Sequence, residues 1–202
     1  MLAADSVLLH DTDPVALHDT DPVPLHKPLS EPKRRFEQMV LPHFDAAYNL
    51  ARWLTRNDHD AQDVVQEAVL RAYRFFDGLR GEPRPWLLAI VRNACFSWLK
   101  RNRPAEVESL DDNAPADDAA GPELTAARDL ERGKLNDAIA ALPVAYREVL
   151  VLRELEDLSY KDIARVAEIP IGTVMSRLAR ARRLLAEALR VVAAPPRLRV
   201  HK

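Results

Sequence analysis

At 202 residues, with 48% hydrophobic and 30% charged side chains, the chain can bury the cores of one or two small domains. Five glycines argue against a large β protein, the single cysteine (Cys95) excludes an internal disulfide and fits a reducing compartment, and no apolar run reaches the length of a membrane span. A net charge of −2 speaks against nucleic acid for the chain as a whole, but the charge is segregated: residues 80–104 hold six basic residues against one acidic, 171–190 hold five against one, and 105–131 hold nine acidic residues against one basic.

Residues 9–26 repeat with a period of eight (LHDTDPVA, LHDTDPVP, LH). The repeat has a proline in each unit and little to bury, so residues 1–33 are expected to form a disordered tail. His10, His18 and His26 with their neighbouring aspartates could hold a metal loosely, but a duplicated solvated tail explains them better and no metal site is expected. The stretch also lacks the basic start and apolar run of a secretory signal, so a cytoplasmic protein is expected.

Residues 34–102 read as a helical block. Asp60 is a candidate helix cap, and Val64, Val65, Ala68, Val69, Ala72 and Phe76 form the apolar stripe of the helix after it. Its outer face shows Asp63, Gln66, Glu67, Leu70 and Arg74. Leu70 among these polar neighbours is either a protein contact or a commonplace exposed leucine. The next helix, from Pro85 to about Arg101, has a wide apolar arc of Trp86, Leu87, Ile90, Val91, Ala94, Trp98 and Leu99. The opposite arc holds Ala89, Arg92, Asn93, Phe96 and Lys100. An aromatic ring between cations is equipment for unpaired bases, since the ring stacks and the cations hold the backbone. The alternative is that another helix of the same bundle covers Phe96. The preceding GEPRPW loop, with Arg84, has a path restricted by its prolines and could form a pocket for an extruded base.

Residues 103–124, rich in proline, aspartate and alanine, have neither helical nor strand period and read as a flexible acidic linker. Helical periodicity returns over 125–190, interrupted at Leu142-Pro143, and residues 191–202 form a C-terminal tail. Ser159 with Asp162 three residues later reads as a capping box. Pro170 stops a first short helix, and a longer helix follows in which Val174, Leu178, Ala181 and Leu185 share one face. Thr173, Ser176, Arg180 and Arg183 lie roughly opposite, flanked by Arg177. This is the pattern of a helix-turn-helix whose second helix offers hydroxyls and guanidiniums to a DNA groove; an amphipathic hairpin with a solvated basic face would share it. The expected fold class is all-α: two small helical bundles joined by a flexible acidic linker, the C-terminal one a helix-turn-helix. No metal-ligand spacing, phosphate loop or nucleophile–base signature is present, so no enzyme, cofactor or small-molecule substrate is expected.

In order and spacing, DAQDVVQEAVLRAYRFF, PWLLAIVRNACFSWLKR, the acidic linker and LPVAYREVLVLRELEDLSYKDIARVAEIPIGTVMSRLARARRLL together resemble bacterial RNA polymerase sigma factors, most closely the compact extracytoplasmic-function (ECF) group of the sigma-70 family. The resemblance covers about residues 34–190 and implies roles. Asp63, Gln66, Glu67, Leu70 and Arg74 would dock on the clamp helices of the polymerase β-prime subunit, which resolves Leu70 towards a partner contact. The loop at Arg84 and the helix bearing Arg92, Asn93, Phe96, Lys100 and Arg101 would recognise and open the −10 promoter element. Thr173, Ser176, Arg177, Arg180 and Arg183 would read the −35 element, and the linker would thread along the polymerase. The partners implied are core RNA polymerase (the β-prime clamp helices and the flap of the β subunit), promoter DNA and an anti-sigma factor able to hold the protein at the inner membrane face.

The chain departs from the pattern in three places. Glu168 stands where the family usually has glycine, at a cost on the order of 1 kcal/mol if the backbone there is left-handed. Met175 and Ala179 replace frequent polar readers, and the repeated tail is extra. The competing readings are a sigma-like decoy that binds an anti-sigma factor without touching promoters, and a stand-alone helix-turn-helix repressor.

Overall fold

The computed structural model describes residues 31–108 and 127–193. The repeated tail with its three histidines, the linker from 109 to 126 and the tail from 194 onwards lie outside the described residues. Every regular element among the described residues is helical, as the sequence predicts. The first block comprises α1 (Glu31–Val40), a 3-10 turn (Leu41–His43), α2 (Phe44–Thr55), α3 (Asp58–Arg74), a second 3-10 turn (Phe76–Gly78), α4 (Pro83–Asn102) and α5 (Pro104–Glu108). The second comprises α6 (Ala127–Ala140), α7 (Val144–Leu150) running into a π turn (Val151–Leu155), α8 (Tyr160–Ala167) and α9 (Ile171–Ala193).

Helices α2, α3 and α4 pack on one another. The stripe predicted for α3 is buried at Val64, Val65, Ala68 and Ala72, and it meets Leu50 and Leu54 of α2 and Leu87, Val91 and Leu99 of α4 in one core. Each fully buried leucine stabilises this core by about 1.5–3 kcal/mol. Phe36 of α1 closes one end, its ring edge-on to Tyr73 and Phe76 with centroids 5.1 and 5.3 Å away.

Two local expectations are corrected. Asn57, not Asp60, caps α3: its Oδ1 accepts from the backbone N–H groups of His59 and Asp60 at 2.9 and 3.1 Å. Asp60 sits inside the first turn, where a negative charge complements the positive end of the helix dipole. The linker also does not lose regular structure at once. Residues 104–108 form a short helix with Pro104 in the first position, where its missing N–H costs nothing.

The larger difference concerns α4. Besides the predicted arc, Leu88, Cys95 and Phe96 are buried. Helix α8 packs against α4 and α7 against α2, so the two blocks are docked. The main core runs continuously into the second block through Val144, Val149, Leu152, Ile163, Val166, Val174 and Leu178. A smaller cluster of Ile139, Leu142, Tyr146, Leu150 and Ala181 joins α6, α7 and α9. A helix with apolar side chains on more than one face finds cover on more than one side.

Candidate nucleic-acid interface

In the second block the local signals act as expected. Ser159 caps α8 by accepting from the Asp162 backbone N–H at 3.1 Å and donating to Asp162 Oδ2 at 2.5 Å. The Ser159 hydroxyl, helped by Arg165, holds the Asp162 carboxyl below its ordinary pKa. Glu168 ends α8 in the left-handed region (φ 56°, ψ 42°), its N–H bonded to Ala164 O. The turn therefore keeps the geometry glycine would take and carries the strain of a side chain.

On α9, Val174, Leu178 and Ala181 are buried, while Ser176, Arg180 and Arg183 are exposed and Thr173 is half-buried. This is the predicted reading face. Met175 is 54% exposed beside it. Ser176 Oγ donates to Thr173 O at 3.1 Å, and Arg182 reaches Glu154 at 2.6 Å, fastening α9 to the π turn. Arg177 does not belong to the open face. It is half-buried, its Nε has no hydrogen-bond partner among the described residues, and its charge acts on Glu148 of α7.

Helix α4 departs from expectation. Arg92 and Phe96 are not on an open cationic face: Phe96 is 7% exposed, and the Arg92 side chain, 16% exposed, stacks its guanidinium 4.1 Å from the Phe96 ring centroid. Arg92 Nε donates at 2.6 Å to Oε1 of Glu148, whose side chain is fully buried. Asn93 Nδ2 donates to Glu168 Oε1 at 3.3 Å, and Arg84 Nη2 to Glu156 Oε2 at 2.7 Å. Glu156 also accepts from Asn49 Nδ2 at 2.5 Å. Lys100 and Arg101, at the end of α4, are exposed. Three carboxylates of the second block thus occupy Arg84, Arg92 and Asn93, three of the five polar groups expected to meet the −10 strand. Phe96 is covered, but in a core that runs on into the second block rather than by the first bundle alone.

The loop before α4 turns at Gly81 (φ 79°), a backbone that favours glycine. Beside it His43, Asn49, Arg84 and Glu156 line a cleft of about 530 Å³, so a concavity lies next to the loop with a second-block carboxylate in its wall. Burial, then the Arg84 charge, lowers the pKa of His43.

On α3, Asp63, Gln66, Leu70 and Arg74 are exposed together, and half-buried Glu67 pairs with Arg71 at 2.5 Å. Leu70 is 55% exposed and forms, with Phe44, Tyr48, Val65 and Val69, the apolar lining of a groove of about 250 Å³. Tyr73 and Phe75, near the end of α3, are also exposed and were not anticipated; their signal is aromatic side chains falling outside the predicted stripe.

Sequence reasoning also missed a set of ionic contacts. Arg147 of α7 is buried, donates to Ala140 O at 2.5 Å and Leu142 O at 2.9 Å, and reaches Glu106 of α5 at 3.4 Å; Arg56 pairs with the same Glu106. Burial brings the Arg147 pKa down to about 10. For Glu148, burial pushes the carboxyl pKa up, against the pull of Arg92 and Arg177. A glutamate amid the hydrophobic run VAYREVLVL was the available sign that a counter-charge had to come from elsewhere in the fold.

Comparison with known proteins identifies this frame. The Sigma-70 region 2 family matches residues 39–104, and the Sigma-70 region 4 family matches residues 132–185. The chain is 34% identical over 168 residues to the RNA polymerase sigma-H factor of Pseudomonas aeruginosa, covering 78% of this chain and 87% of that protein. It is 36% identical over 148 residues to the ECF RNA polymerase sigma-E factor of Haemophilus influenzae, covering 67% and 77%. Among solved structures, the sigma factor RpoE in complex with the anti-sigma factor NepR, from Bartonella quintana, superposes with a TM-score of 0.61 at 30% identity, covering 78% of this chain and 98% of that one. Two helical blocks, a helix-turn-helix with a basic outer face and these matches in the same order along the sequence lead to one conclusion: the chain belongs to the ECF group of the sigma-70 family of RNA polymerase sigma factors.

Proposed function

We propose that the protein binds core RNA polymerase, recognises the −35 and −10 elements of its promoters, opens the −10 region and so directs initiation. The exposed surface of α3 around Leu70 docks on the polymerase clamp, and the second block engages the β-subunit flap. The outer face of α9, with Ser176, Arg180 and Arg183 at its centre, reads the −35 element in the major groove. Helix α4, which begins at Pro83 rather than Pro85 and so takes Arg84 into its first turn, engages the −10 strand with Arg92, Asn93, Phe96, Lys100 and Arg101, and an extruded base enters between Arg84 and the loop at Gly81.

The observation that carries this reading is the open basic face of α9 over a buried apolar one, on a chain of sigma-factor family. Either DNA patch alone is small and relies on salt-sensitive phosphate contacts. Fixed on polymerase, the second contact becomes intramolecular and gains effective concentration. Stacking on Phe96 and base capture then offset the few kcal/mol lost on unstacking the duplex. The polymerase supplies the chemistry.

An anti-sigma factor is the expected cytoplasmic regulator, by analogy with the NepR-bound relative, and through it the protein is held at the inner membrane face. Among the described residues no helix is long and apolar enough to cross a membrane. The burial of Arg92 and Phe96 is the observation that favours the decoy reading, in which the chain captures an anti-sigma factor and never meets a promoter. Run-off transcription separates the two: core polymerase should start on a genomic promoter library only when this protein is added, whereas a decoy would give no start on any fragment.

A further inference from the structure

Helix α1 joins the octapeptide repeat to the apolar groove on α3. Each full repeat unit carries a leucine and, six residues on, a valine (Leu9 and Val15, Leu17 and Val23), with two aspartates and a proline between them. Leu25 opens a third unit. Residues 1–30 hold five acidic residues against one lysine. The groove between α2 and α3 is lined by Phe44, Tyr48, Val65, Val69 and Leu70, with Phe44 and Leu70 exposed. Arg74, one turn beyond Leu70, and Lys33 on α1 are exposed and have no carboxylate partner among the described residues.

Glu31, the first residue of α1, directly follows this segment. The helix runs ten residues, about 15 Å, and the turn Leu41–His43 joins it to Phe44 in the groove wall. Phe36 of α1 packs edge-on to Tyr73, three residues beyond Leu70. Residue 30 therefore lies within about 25 Å of the groove. Leu17 and Leu9 are 14 and 22 residues before Glu31. Unconstrained chains of those lengths have root-mean-square spans of about 20–26 Å, which matches the distance to be bridged.

We propose that the repeat docks in this groove of its own chain: the leucine and valine of one unit fill the apolar cleft, the aspartates meet Arg74 and Lys33, and core polymerase must displace the unit to reach α3. This rests on the reading of α3 as the polymerase-docking surface. The proline fixes one backbone angle in each unit, so less freedom is lost on docking. The contact itself is small and weak, but it is intramolecular. With a docking constant of ~0.1 mM, an effective concentration in the millimolar range fills the groove about ten to one. Duplication of the unit supplies a second leucine at workable reach without any new contact.

The test uses the full chain with a nitroxide at Thr20→Cys, inside the second unit, and buried Cys95 unlabelled. The NMR signals of Val69 and Leu70 should broaden. Substituting Leu9→Ser, Leu17→Ser and Leu25→Ser together should remove the broadening and tighten binding of core polymerase about tenfold, because the groove is then free. No broadening at the groove, or broadening that survives the triple substitution, overturns the proposal. Equal broadening when nitroxide and isotope label are on different chains assigns the groove to a second copy and overturns docking within one chain. Broadening lost in the triple variant with unchanged polymerase affinity upholds the docking and instead overturns the reading of α3 as the polymerase surface.

Discussion

Helices α4 and α9 carry similar stretches of positive charge, yet they end in opposite environments. On α9 the apolar residues keep to one face, at Val174, Leu178 and Ala181, and Arg180 and Arg183 stay in solvent. On α4 the apolar residues spread around the axis, and Leu88, Cys95 and Phe96 draw a second layer of helices over the side that also holds Arg92. The availability of a basic helix face is thus set by the purity of its apolar face. A clean stripe leaves the opposite side open, whereas a second apolar strip invites cover and requires carboxylates to neutralise the arginines carried in with it.

The sharpest break of this comparison is in stability. Leu99→Ala, at a fully buried site of α4, should lower unfolding free energy by about 2–5 kcal/mol in urea denaturation, whereas Met175→Ala, on the open side of α9, should stay within roughly 0.5 kcal/mol. Comparable losses would mean that α9 is also covered. Next in size are the DNA effects. Arg180→Ala should weaken promoter binding by the assembled polymerase by about 1–3 kcal/mol with unchanged folding, and a salt slope reduced by about 1 would assign it to a phosphate rather than a base edge. Equal activity on all promoters would show that α9 reads with another face. Phe96→Ala should slow opening of duplex promoters more than use of pre-melted ones, by a stacking loss of about 1–3 kcal/mol; equal slowing of both removes the ring from melting.

Smaller effects test the frame of the helix-turn-helix. Ser159→Ala should cost about 1 kcal/mol through the lost cap and let the Asp162 pKa rise. Because that carboxyl is held below its ordinary value in the folded chain, its contribution is full above the usual aspartate range and lost as pH falls through the lowered pKa. The Ser159→Ala penalty should therefore shrink on acidification, read from denaturation midpoints at several pH values. Glu168→Gly should relieve left-handed strain on the order of 1 kcal/mol, partly offset by the lost bond to Asn93. A large destabilisation would show that this outer contact, rather than the turn, dominates at that residue.

The parts readable from sequence were those governed by local periodicity and capping. The stripes of α3 and α9 and the Ser159 cap follow from neighbours a few positions apart, whereas the left-handed residue at 168 was raised only by the family resemblance. Errors arose where distant segments decide. The cap of α3 fell on Asn57 because helix start depends on how α2 ends, with Arg56 itself left-handed. Arg92, Phe96 and Arg177 were assigned to open faces because their covering partners, Glu148 above all, lie far away in sequence and only docking brings them together. The uneven apolar spread of α4 was the sign of that docking.

The most direct test replaces Phe96 with a photoreactive phenylalanine analogue and irradiates the full chain with promoter DNA, alone and with core polymerase. A promoter-opening factor whose −10 helix is covered in the free state should give no DNA crosslink alone and a crosslink to the −10 non-template strand once polymerase is present. Crosslinking by the free chain, or its absence from a transcriptionally active complex, would contradict that picture.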